Sequence, residues 1–83
     1  MSKVFYVLKG YDNETVICRD ESISMIKEVF HLERKHNPHN YDFYHLYLYD
    51  NETNVCLDGF CGTYWEIYKE IETLFVRELS KEQ

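Results

Sequence analysis

The pentapeptide Tyr11-Asp12-Asn13-Glu14-Thr15 returns as Tyr49-Asp50-Asn51-Glu52-Thr53, 38 positions further on. The match extends outward on both sides. Phe5, Tyr6 and Leu8 return as Phe43, Tyr44 and Leu46, and Cys18 and Asp20 return as Cys56 and Asp58. Residues 5–20 and 43–58 share ten identities in sixteen positions without a gap. A match of that density reads as an internal duplication. It constrains the fold strongly, because whatever one half forms the other should form too, and the two must bury each other.

Each half reads as a hairpin followed by a helix. Residues 4–8 are apolar, aromatic and β-branched, which favours a strand. The repeated phrase is turn chemistry, since Asp and Asn accept left-handed angles and satisfy nearby amides, and Gly10 assists. Val16-Ile17-Cys18 returns as a second strand. A two-residue loop at Asp12-Asn13 would pair Leu8 with Ile17, and in the copy Leu46 with Val55 and Tyr44 with Leu57. Asp20 or Ser22 can cap a first helix, whose stripe is Ile23, Ile26, Val29 and Phe30. Asn37-Pro38 should end it. The third strand is expected over residues 41–49 and the fourth over 54–57. Thr63-Tyr64-Trp65-Glu66 has the capping-box pattern. The second helix then carries Tyr64, Ile67, Tyr68, Ile71, Leu74, Phe75 and Leu79 on one face.

The fold class is therefore α+β. It is a tandem ββα-ββα duplication in one domain, residues 1–83, with pseudo-repeats at 3–37 and 41–80. The first strand of each half is the more apolar, so both belong in the middle. That gives a four-stranded antiparallel sheet in the order 2-1-3-4 with two helices on one face. Alternation sorts the central strands. Tyr6, Leu8, Tyr44, Leu46 and Leu48 lie on one side. Phe5, Val7, Lys9, Phe43, His45 and Tyr47 lie on the other. Lys9 and His45 mark the second set as the side without helices. Phe5, Phe43, His45 and Tyr47 then form an open aromatic patch, which is the leading candidate for a binding surface.

Three residues of the second helix join that candidate list. Trp65 points away from the apolar stripe, and Trp is enriched at binding hot spots. Glu66 and Glu70 stand one turn apart and, with Asp50, Glu52 and Asp58, could build an acidic ridge. The charge distribution agrees with such a ridge. Residues 1–38 carry six acids and six bases, whereas residues 39–83 carry nine acids and three bases and hold the whole net charge of −6. A general nucleic-acid binder needs a basic surface, so direct nucleic-acid binding is not expected. A basic protein partner suits the acidic half.

Motifs for chemistry are sparse. His36 and His39 with Cys56 and Cys61 could supply four zinc ligands, but their spacing and order match no zinc-finger pattern. Cys61, just before a helix start, is the best-placed thiol for nucleophilic chemistry. Glu33 sits one turn before His36 without a cleft signature. With three glycines there is no phosphate-cradling run. Neither catalysis, a metal nor a cofactor is expected. No apolar run approaches the ~20 residues of a membrane span, and no signal sequence is read at the start. Three cysteines, an odd number, suit free thiols in a reducing cytoplasm. Asn13-Glu14-Thr15 and Asn51-Glu52-Thr53 fit the glycosylation sequon, but that compartment does not use it.

The functional expectation is a small, acidic, non-catalytic protein-binding module. By size and charge it resembles the stoichiometric inhibitors or adaptors of phages and mobile elements. Two alternatives stand beside it. One is a homodimer binding a nucleotide or metabolite around Phe43, His45 and Tyr47. The other is an acidic nucleic-acid mimic that blocks a DNA- or RNA-binding enzyme through Glu66 and Glu70.

Overall fold

A computed structural model of the protein describes residues 3–10, 15–36 and 41–81, with Lys81 as backbone only. The expected first turn, the Asn37-Pro38 helix stop and His39 lie outside those residues. The elements follow in the order β1 (Val4–Gly10), β2 (Thr15–Asp20), α1 (Ile23–His36), β3 (Tyr44–Asp50), β4 (Cys56–Gly62) and α2 (Tyr64–Lys81). All strand pairs are antiparallel, and the sheet runs β2-β1-β3-β4. The strand order read from apolar content is thus the order in the molecule.

One core lies between the sheet and both helices. Tyr6, Leu8, Tyr44 and Leu46 enter it from the central strands. Ile23, Ile26 and Phe30 enter from α1, and Tyr64, Ile67, Ile71 and Leu74 from α2. Burying each of these side chains contributes about 1.5–3 kcal/mol of transfer free energy. Phe30 ties the layers together, with its ring edge-on to Tyr44 at 4.9 Å and stacked on Tyr64 at 4.5 Å. Leu79 departs from the expected stripe and is exposed.

The helix starts are built from the expected residues. The Ser22 carbonyl accepts the Ile26 N–H at 3.3 Å, and the Asp20 carboxylate braces the preceding turn by accepting the Ser22 N–H at 2.8 Å. At α2 the Thr63 carbonyl accepts the Ile67 N–H. Glu66 reaches back to accept both the N–H and the hydroxyl of Thr63, each at 3.1 Å. These contacts and the helix N-terminus favour its charged form. The thiol expected to gain from the same terminus, Cys61, belongs to β4.

The hairpin registers differ from expectation. Leu8 faces Cys18 rather than Ile17, because a bulge between Leu8 and Lys9 makes Ile17 the extra residue. Leu46 faces Phe60 rather than Val55, and Tyr44 faces Gly62 rather than Leu57. The cause is the second turn. Tyr49 and Asp50 continue β3, and the loop follows them. The Asp50 carboxylate accepts the N–H groups of Glu52 and Thr53, while Asn54 takes a positive φ of 60°. Asn tolerates that angle better than most side chains. The strand then returns at Cys56 and runs on through Gly62, well past the expected end at residue 57.

Candidate functional site: the open face of the sheet

Among the described residues, helices cover one side of the sheet only. Register and alternation assign the other side. It receives Phe5, Val7 and Lys9 from β1, and Val16 and Arg19 from β2. It receives His45, Tyr47 and Tyr49 from β3, and Cys56, Gly59 and Cys61 from β4. The expected aromatic residues are therefore brought together, but they are not a bare patch. Phe5 is 6% exposed and Val7 7%. His45 and Tyr47 are half-buried, and Phe43, one residue before β3, is 44% exposed.

Cations roof the rings. The Arg19 guanidinium lies 4.2 Å from the Phe5 ring centroid, and Tyr49 stacks on the same ring at 5.2 Å and 10°. The Lys9 ammonium stands 5.4 Å from the Tyr47 ring. Guanidinium and ammonium groups are attracted to the negative face of an aromatic ring, which holds them in place. The Tyr47 hydroxyl and His45 Nδ1 lie 2.7 Å apart, so a hydrogen bond joins the two side chains. Tyr47 also lies across Gly59, where a Cβ would come within 3.2 Å of its ring. The glycine leaves room for the tyrosine to lie flat on the edge strand.

Charge is sorted between the two sides. The strand carboxylates Asp20, Asp50 and Asp58 face Tyr6, Val4 and Leu48, all on the helix side. The strand cations Lys9 and Arg19 both face the open side. Among the described strand residues the open face carries no carboxylate at all. A chain of net charge −6 thus presents one face that is basic and aromatic. Arg19 and Tyr49 were absent from the sequence-based site. Tyr49 opens the repeated turn phrase, which hides its place on the open face, and placing Arg19 requires the bulge at Ile17.

The remaining sequence candidates sit elsewhere. Trp65 is 67% exposed on α2, its ring edge-on to Tyr64 at 5.0 Å and to Tyr68 at 6.0 Å. Glu66 caps α2, and its contacts with Thr63 hold its carboxyl below the usual range. Glu70 is half-buried on the same helix. Cys18 and Cys56, equivalent in the repeat, do not fill equal places. Cys18 packs against the core opposite Leu8, and burial, aided by Asp20, raises its thiol pKa. Cys56 is exposed opposite Tyr49 on the open side. His36 and Glu33 belong to α1, where Glu33 is half-buried and His36 exposed.

On the helix side, a shallow cleft of about 350 Å³ is lined by Ser24, Lys27, Glu28, His31, Tyr68 and Phe75. Lys27, in its lining, pairs with Glu72 of α2 at 3.4 Å. Among the described residues, no three His, Cys, Asp or Glu side chains converge as a metal site. No described helix is long and apolar enough to cross a membrane. Comparison with protein-family models, with curated proteins and with solved structures gives no match.

Proposed function

We propose that this protein is a non-catalytic protein-binding module, a stoichiometric inhibitor or adaptor of the phage or mobile-element kind, and that it meets its partner with the open face of its sheet. The observation that carries the reading is the composition of that face. Tyr, Phe and Arg are the side chains enriched in protein interfaces, and carboxylates are depleted there. The open face has that profile, whereas the helix side holds the strand carboxylates. Two exposed cysteines, Cys56 and Cys61, support a reducing cytoplasm as its compartment. We also attribute the two hairpin-helix halves to one duplicated ancestor, and the central pairing of the repeat-equivalent Leu8 and Leu46 supports that origin.

The test is photo-crosslinking with benzoyl-phenylalanine placed at Phe43 on the open side or at Leu79 on the helix side. A 1:1 adduct with one protein from Phe43, and none from Leu79, is expected. Adducts confined to Leu79, or a complex that survives Phe43→Ala and Tyr47→Ala unchanged, would assign the contact to the helices instead.

A further inference from the structure

The sorting of charge says what kind of partner the open face fits. Lys9 and Arg19 lie over the Tyr47 and Phe5 rings, and among the described strand residues no carboxylate shares that side with them. Just outside the strands, Lys3 has the same parity as Phe5 and Lys9, and Glu21 has the same parity as Arg19 with its carboxylate accepting from the Asn51 side-chain amide at 3.2 Å, so the basic character of the face rests on Lys9 and Arg19. A second copy of the chain is a poor occupant, because a two-fold contact would set this basic face against itself. A single strand of nucleic acid is also a poor occupant. Bases would need the ring faces of Phe5 and Tyr47, and those faces hold Arg19 and Lys9. The net charge of −6 opposes a polyanion that extends beyond the face.

Isolated carboxylates on a protein segment meet neither difficulty. A guanidinium laid flat on a ring keeps its edge N–H groups free to fork a carboxylate. Arg19 faces Val7, and Lys9 follows Val7 by two residues along β1. The two cations are therefore diagonal neighbours, about 7–8 Å apart at their roots. In an extended segment every second side chain points the same way, about 7 Å from the last. We propose that the open face receives an extended acidic segment of a protein partner, with carboxylates at alternate residues held by Arg19 and Lys9. This rests on the reading that the face binds protein, and it adds the chemistry of the partner.

The experiment is an NMR titration of the ¹⁵N-labelled protein with three probes. They are a blocked Glu-Thr-Glu-Thr-Glu-Thr peptide, the same peptide with Lys for Glu, and a ten-residue oligo(dT). Saturable shifts confined to β1, β2 and β3 are expected with the Glu peptide and none with the Lys peptide. Arg19→Gln and Lys9→Gln, each with an otherwise unchanged amide spectrum, should weaken the Glu peptide by about tenfold or more, as loss of a charge-assisted hydrogen bond implies. Silence from the Glu peptide, or binding of it by both Gln variants as tight as by wild type, overturns the acidic segment. Tighter binding of oligo(dT) at the same amides overturns it in favour of nucleic acid. If Phe43 crosslinks a protein while the Glu peptide is silent, only the partner's acidity fails. If crosslinks come from Leu79 alone, the underlying reading fails as well.

Discussion

Tyr6 and Tyr44 occupy the same position of the repeat, yet their hydroxyls meet different surroundings. Tyr6 donates to Glu78 Oε1 at 3.0 Å. The Tyr44 hydroxyl is fully buried and has no hydrogen-bond partner among the described residues. Burial, with the Glu33 carboxylate nearby, pushes its pKa up. An unsatisfied buried hydroxyl costs about 1–3 kcal/mol, whereas a phenyl ring in the same place costs nothing of that kind. Tyr44→Phe is therefore expected to raise stability by about 1 kcal/mol, read as a higher urea midpoint with an unchanged slope. A lower midpoint would mean that the hydroxyl is satisfied in solution.

At the scale of elements, the repeat and the structure keep different counts. Sequence identity recurs every 38 residues. Hairpin geometry recurs every 40, since Leu8 and Cys18 correspond to Leu48 and Asp58, and Lys9 and Val16 to Tyr49 and Cys56. Even the bulges correspond, at Ile17 and Leu57. A shift of two keeps every side chain on its own face of the sheet, whereas a shift of one would turn the strand over. This is why the core and the open face could be read from alternation while the partners across each hairpin could not. Strand order followed from which segments were most apolar, a signal carried by single residues. Register followed from how Asp50 and Asn54 shape the second turn, which the shared phrase does not reveal because Asn54 lies outside it, where the first copy has Val16. The roof of cations depended on that register and so stayed hidden.

The capping box at α2 was legible for the opposite reason: Thr63 and Glu66 are local. Glu66 has a lowered pKa in the fold, so it contributes stability above the ordinary carboxylate range and loses it as pH falls through its folded value. Stability of Glu66→Gln should therefore fall below wild type at pH 7, and the gap should close towards pH 2. Denaturant melts across that range measure it. A gap that is constant with pH would remove the charge from the capping contact.

The whole molecule is a two-layer body of 39 × 26 × 17 Å. A layer of helices on one side leaves the sheet's second side to serve as surface, and the chain answers with rings and cations instead of a third layer. The Tyr6–Glu78 hydrogen bond spans 72 residues and fastens the last helix to a central strand. Burial first, and then Glu78, raise the Tyr6 pKa well above its ordinary value of 10.0. The raised value means that its contribution is complete below pH 10 and is lost as pH rises beyond it. Tyr6→Phe should cost about 1.5 kcal/mol at pH 7, the low end for a charged acceptor that keeps some water. The deficit should shrink above pH 10, and a deficit unchanged at pH 11 would rule out that bond as its source.

The same hydrogen bond sets an order of events on the ribosome. At about 5–20 residues per second, Glu78 is made on the order of 4–14 s after Tyr6. β3, the inner neighbour of β1, also arrives well after it, since Leu8 must wait for Leu46. During that interval β2 and α1 are already made, but the other edge of β1 stays open and α2 does not yet exist. A strand that is central in the finished sheet is thus an edge strand for as long as β3 is still being made.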